Sequence, residues 1–108
     1  MWAKPTQADL KAMPKIYAQE KTKSGDQIVY GHFFMGAHDW FITEFDGEDT
    51  FFGFAILNGD LDMAEWGYIS FQELKDLKQS FMQVDFDKHW DKRPVREVDK
   101  IVKAGGVH

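Results

Sequence analysis

The chain contains no cysteine among its 108 residues. That excludes a disulfide framework, a thiolate nucleophile and any zinc or iron–sulfur centre built on sulfur ligands. No uninterrupted apolar run approaches the roughly 20 residues needed to cross a bilayer. The opening residues Met1-Trp2-Ala3-Lys4-Pro5-Thr6 lack the apolar stretch of a signal peptide. A cytoplasmic protein with no membrane partner is the expectation. Glycine-rich sequence leading into a helix, the mark of a phosphate-cradling loop, is missing too. The most informative absence lies in the middle, where no Lys or Arg stands between Asp39 and Glu73. The overall charge of −5 hides this asymmetry. Residues 1–38 hold five bases against three acids, residues 39–76 one against ten, and residues 77–108 seven against five. An acidic middle is the opposite of a basic footprint, so no direct nucleic-acid partner is expected.

What is present is bulky core material: ten Phe, four Trp and three Tyr in a chain of one-domain length. Thr6-Gln7-Ala8-Asp9 reads as a capping box opening a short helix through Met13, which Pro14 ends. After a polar stretch over 18–27, strands are predicted at Ile28–Met35, Trp40–Phe45, Phe51–Leu57 and Trp66–Ser70. The turn Asp46-Gly47 joins the second to the third. Phe51–Leu57 is apolar on both faces and so reads as a central strand. Ser70-Phe71-Gln72-Glu73 predicts a capped helix of two turns, and alternating Met82, Val84 and Phe86 predict an outer strand. A last helix is expected from Lys92 to Ala104, with Asp91 as its cap and Val95, Val98, Ile101 and Val102 as its inward stripe. The order αββββαβα predicts a single α+β domain over residues 1–108, with loose ends at about 1–5 and 105–108. Its sheet is mainly antiparallel, of four to five strands, accompanied by about three short helices.

Several constellations bear on chemistry. Asn58-Gly59-Asp60-Leu61-Asp62 begins like a calcium loop, but Met63 and Ile69 stand where that loop needs Gly and Glu. Asp46, Glu48, Asp49, Asp60, Asp62 and Glu65 are carboxylates of predicted turns, where acids are ordinarily solvated. The same acids, together with Glu44, would be the ligands if the protein were a divalent-metal-dependent enzyme acting on phosphodiesters. His32, His38, His89 and His108 show no metal-ligand spacing. Asp87, His89 and Asp91 alternate, a pattern in which a carboxylate orients an imidazole, yet no nucleophile accompanies them. Rings from Phe33 to Phe71 crowd the predicted strands beyond what one sheet face hides. An exposed aromatic patch or a self-association surface follows, with Trp40, Trp66 and Tyr68 as candidate anchors.

Leu10 with Met13-Pro14-Lys15-Ile16-Tyr17, His32-Phe33-Phe34, Trp40-Phe41-Ile42-Thr43-Glu44-Phe45-Asp46, Phe51-Phe52-Gly53-Phe54 and Glu65-Trp66-Gly67-Tyr68-Ile69-Ser70-Phe71-Gln72-Glu73-Leu74 occur in that order. This succession resembles an uncharacterised bacterial family, domain of unknown function 2958, over roughly residues 10–98. Its members share Leu-Pro-x-Leu-Tyr, an aromatic-Thr-Glu stretch, Phe-Phe-Gly and Glu-Leu-Gly-Tyr-Phe-Ser-Leu-x-Glu-Leu. This chain departs with Trp66 for Leu, Ile69 for Phe and Phe71 for Leu, all apolar exchanges. The resemblance implies an origin on plasmids, integrative elements or phages, among genes of element maintenance or defence evasion. It brings no activity, cofactor or catalytic residue.

Together these readings predict a non-enzymatic acidic interaction protein of a mobile element, with no cofactor and no catalytic or metal-binding residues. Its expected partner is a protein with a basic surface, such as a nucleic-acid-binding restriction or CRISPR effector, reached through the six turn acids and the three aromatic anchors. Complementary charge would steer that encounter, and salt would weaken it. A small-ligand pocket lined by aromatics and a homodimer are the other readings the composition allows.

Overall fold

The computed structural model describes residues 1–108. Its elements in chain order are α1 (Gln7–Lys11), β1 (Ile28–Val29), β2 (Gly31–Met35), β3 (His38–Phe45), β4 (Thr50–Ile56), β5 (Glu65–Ser70), α2 (Phe71–Asp76), β6 (Lys78–Gln79), β7 (Met82–Gln83), β8 (Asp85–Phe86), β9 (Arg93–Pro94) and α3 (Asp99–Lys103). Single 3₁₀ turns stand at Ser24–Asp26 and Val95–Glu97. Five strands form one antiparallel sheet in the order β5-β4-β3-β2-β8. The α+β class and the antiparallel sheet are as the sequence predicts. The strand at the centre is β3, however, and seven of its eight residues are buried.

Side chains alternate across the sheet and seed a core on each face. On one face Phe33, Trp40, Ile42, Phe45 and Phe51 pack under Met13, Val84 and the α2 residues Phe71 and Leu74. On the other, Phe41, Phe54 and Ile56 pack under Val95, Val98 and Ile101. The sheet is thus the middle layer of three. At the start of α1 both halves of the Thr6/Asp9 capping box are made. At the start of α2 the Ser70 hydroxyl accepts from Glu73 N, and Asp49 in the β3–β4 turn takes the rest. Its carboxylate accepts from Ser70 Oγ and Gln72 N, and its carbonyl from Phe71 N.

The long C-terminal helix expected over residues 92–104 is not formed. Pro94 lies at φ −67°, ψ 152°, and Arg93–Pro94 pairs as β9 with β1. Val98 is also extended, so only a 3₁₀ turn and the five-residue α3 remain helical. Proline fixes φ and strand pairing takes the preceding residue, which together override the apolar stripe. Val95, Val98 and Ile101 still turn inward, but Val102 is exposed. The predicted strand 82–86 is divided as well: β7 pairs with β6, and β8 joins the edge of the main sheet beside β2.

Residues near both ends of the chain make specific hydrogen bonds. Trp2 N donates to Val84 O and Ala3 O accepts from Phe86 N, so the first residues run along the outer side of β8. Near the other end the Gly106 carbonyl accepts from Trp66 Nε1 and Ser24 Oγ. A Cβ on Gly106 would meet Ile101 and Phe54 at 2.6 and 2.8 Å.

Two glycines on neighbouring strands make a paired test of this packing. A Cβ at Gly53 of β4 would collide with the Phe41 carbonyl oxygen, whereas one at Gly67 of β5 would meet nothing within 4 Å. Gly53→Ala is expected to cost about 3 kcal/mol, a fall of about 15 °C in Tm. Gly67→Ala should stay within about 0.5 kcal/mol of the parent. Thermal melts of the two variants check this, and equal Tm values would contradict the packing described.

Candidate functional site

Three of the six turn acids spend their oxygens on the backbone. Asp46 Oδ1 accepts from the amides of Glu48, Asp49 and Thr50 at 2.8, 2.9 and 3.0 Å. The Glu48 amide is the strongest of the influences that hold its carboxyl below the ordinary value. Asp49 serves the start of α2, and Asp60 Oδ1 accepts from the amides of Asp62 and Met63. Glu48, Asp62 and Glu65 are exposed. The six do not share one surface. Asp46, Glu48 and Asp49 sit before β4, and Asp60, Asp62 and Glu65 follow it, about 20 Å away along a seven-residue strand. Glu48 moreover borders a groove of about 560 Å³ that also holds Lys11, Lys15 and Lys75, so folding brings bases to that end of the acidic stretch.

The aromatic candidates separate in the same way. Trp40 is 5% exposed and belongs to the α2-side core, so it is no surface anchor. Its place on the central strand, covered on both sides, is the physical reason. Trp66 is half-buried, with its indole bonded to the Gly106 carbonyl and stacked on Phe52. Tyr68, at 61% exposure, alone of the three presents its ring to solvent.

Around Tyr68 the fold builds a recess. Pairing of β3 with β4 passes from Ile42↔Gly53 directly to Glu44↔Phe52, which leaves Thr43 as the extra residue of a β-bulge. The bulge returns Glu44 to the α3-side face, in one cross-strand row with Phe52 and Tyr68. Glu44 is 5% exposed. Its Oε1 accepts from Tyr17 N at 3.0 Å and its Oε2 from Gln19 N at 2.8 Å. Gln19 is itself fixed, donating to the carbonyls of Ile28 and Thr43 and accepting from Ile28 N. Tyr17 is held at φ 73°, a left-handed conformation that costs a residue with a Cβ. This places the Tyr17 hydroxyl 3.3 Å from that of Tyr68. The contact with Tyr17, more than desolvation or the charge of Glu44, raises the Tyr68 pKa. Ile16, Tyr17, Glu20, Glu44, Phe52 and Tyr68 then surround a cavity of about 230 Å³.

A second polar cluster lies on the same face nearer α3. His32 Nε2 is 2.6 Å from Asp39 Oδ1, and His32 Nδ1 is 3.3 Å from Asp87 Oδ2. Both contacts are hydrogen bonds only when both ring nitrogens carry protons. The imidazole lies flat on Phe41 at 4.6 Å, with Trp90 tilted beside it. Lys100 of α3 donates to Asp39 Oδ2 at 2.8 Å. Burial, the largest influence on Asp39, favours its neutral form. The hydrogen bonds and charges of His32 and Lys100 outweigh it and hold the carboxyl below its ordinary value. Asp87 therefore faces His32 and not the exposed ring of His89, which it meets only through the His89 amide.

Folded-state stability from Asp39 is present above the ordinary carboxylate value of 3.8 and is lost as pH falls through the lowered folded value. Asp39→Asn is accordingly expected to cost about 2–3 kcal/mol at neutral pH. That deficit should shrink toward zero as the parent is acidified. Lys100→Met, at the exposed end of the pair, should cost about 1 kcal/mol or less. Urea unfolding of the parent and both variants from neutral to acid pH tests this, and a deficit that grows on acidification would refute the pairing.

The family model described as a protein of unknown function, DUF2958, matches residues 4–101. Neither curated proteins nor solved structures give a match. The motifs around the recess, from Tyr17 through Glu44 and Phe52 to Tyr68, lie inside the matched region, and the chain belongs to the DUF2958 family.

Proposed function

We propose that this protein is a non-enzymatic interaction module that docks on the basic surface of another protein. The observation that carries the reading is the recess at Tyr68. Two carboxylates, Glu20 and Glu44, and two tyrosines line it, and no base does. An exposed ring next to uncompensated negative charge suits a cationic protein surface, where aromatic anchors supply contact area and carboxylates supply steering. Of the exposed turn acids outside the recess, Asp62 and Glu65 add negative charge beyond one end of β4, while Glu48 at the other end borders Lys11, Lys15 and Lys75. The family resemblance implies an origin on a mobile element, and a cytoplasmic place of work completes the proposal. In that setting a nucleic-acid-binding host protein, such as a restriction or CRISPR effector, offers a basic surface of the right sign.

Affinity capture from host lysate at low and high salt tests the proposal, with Glu48→Gln/Asp62→Asn/Glu65→Gln as the comparison. The parent should retain basic proteins at low salt and release them at high salt. The triple variant should retain several-fold less. Equal capture by both proteins, or capture indifferent to salt, would refute charge-driven docking.

A further inference from the structure

We infer that the recess between Tyr17 and Tyr68 is a binding site for one arginine side chain of a partner protein, an inference that rests on the docking proposal and names its central contact. The protein has two kinds of buried carboxylate on one sheet face. Asp39 is matched by His32 and Lys100. Glu44 is equally buried, yet no Lys, Arg or His forms an ion pair with it. Two backbone amides occupy one site on each of its oxygens, out of about four that a carboxylate offers. Both oxygens thus keep acceptor capacity, and the residue lines an open cavity.

The walls suit a guanidinium in particular. Planar, weakly hydrated and always charged, it stacks on aromatic faces and forks onto carboxylates, whereas an ammonium is a compact and strongly hydrated point charge. Tyr17, Phe52 and Tyr68 supply the rings, Ile16 an apolar wall for the stem, and Glu20 a second carboxylate at the rim. A volume of about 230 Å³ corresponds to seven or eight waters at about 30 Å³ each, ample for a guanidinium on its three-carbon stem. The tyrosine pair is set in place without a ligand. Glu44 fixes the Tyr17 backbone, and the two hydroxyls meet at 3.3 Å.

The test is a titration of the isotopically labelled protein with a capped Gly-Arg-Gly peptide, followed by amide chemical shifts. Peptides carrying citrulline, the neutral isostere, or lysine in place of arginine are the controls. Saturable shifts at Tyr17, Gln19 and Phe52 are expected with arginine, at least tenfold weaker binding with citrulline, and intermediate binding with lysine. Tyr68→Ala, at an exposed position, should weaken arginine binding about tenfold. Tyr68→Phe, which keeps the ring and loses the hydroxyl, should retain most of it, and Glu20→Gln should lose several-fold. Equal binding of the arginine and citrulline peptides, absence of saturable shifts, or full affinity in Tyr68→Ala would overturn the assignment. Salt-sensitive capture of basic proteins that survives in Tyr68→Ala would sink this site and leave docking intact. Arginine binding without salt-sensitive capture would sink docking and leave the site.

Discussion

The double-sided burial of β3 is the constraint on which the rest of the molecule depends. A strand with no face in water must satisfy every polar side chain it carries from within the protein. β3 carries three buried ones: Asp39, Thr43 and Glu44. Asp39 recruits His32 from the neighbouring strand and Lys100 from α3, which ties the last helix to the sheet. Thr43 returns its hydroxyl to the Phe52 carbonyl. Glu44 takes two amides from the segment after Pro14, which folds the N-terminal loop over the sheet. Each buried polar group on one strand thus fastens a different part of the chain.

The bulge at Thr43 decides what the strand presents. Without the extra residue, simple alternation would place Glu44 on the α2-side face beside Phe51 and Phe71, where a carboxylate has no partner, and would turn Phe45 out of that core. With it, Glu44 and Phe45 lie on opposite faces, each in a suitable environment: the carboxylate beside backbone amides, the ring against Phe51 at 4.6 Å. One inserted residue therefore yields both an intact aromatic core and a negatively charged recess.

Much of the architecture was legible in local patterns. The capping box at Thr6, the strands of the middle and the helix after Ser70 follow from spacing that neighbours in sequence can carry. The exception is the expected strand Ile28–Met35, which is divided, Ile28–Val29 pairing with Arg93–Pro94 and only Gly31–Met35 joining the main sheet. What escaped depends on partners far along the chain. Pro94 is compatible with the first turn of a helix, and only the pairing of Arg93–Pro94 with Ile28–Val29 draws it into a strand. Trp40 looks like any aromatic on a strand until the covering layers are in place. The site was harder still. Charge counting pointed to the turn acids, of which Asp46, Asp49 and Asp60 shape the turns themselves. Of the two buried carboxylates, Asp39 is not singled out by the sequence and Glu44 enters only as one of several possible metal ligands. A signal existed for one of them: a hairpin pairing Met35 with His38 sets His32 and Asp39 diagonally on a single face, by strand periodicity alone. For Glu44 there was none, because its face is set by a bulge that no residue of the sequence announces.

The sheet's two margins differ. Along β8 the backbone of Trp2 and Ala3 fills the outer hydrogen-bonding positions, while β5 has a strand on one side only. Uncontrolled growth of a β-sheet requires each molecule to offer one edge and accept at another. A molecule with a single open edge can complete itself against one further copy and then has nothing left to extend. In the main sheet of this protein that edge is β5, so strand addition to this sheet has a single point of growth.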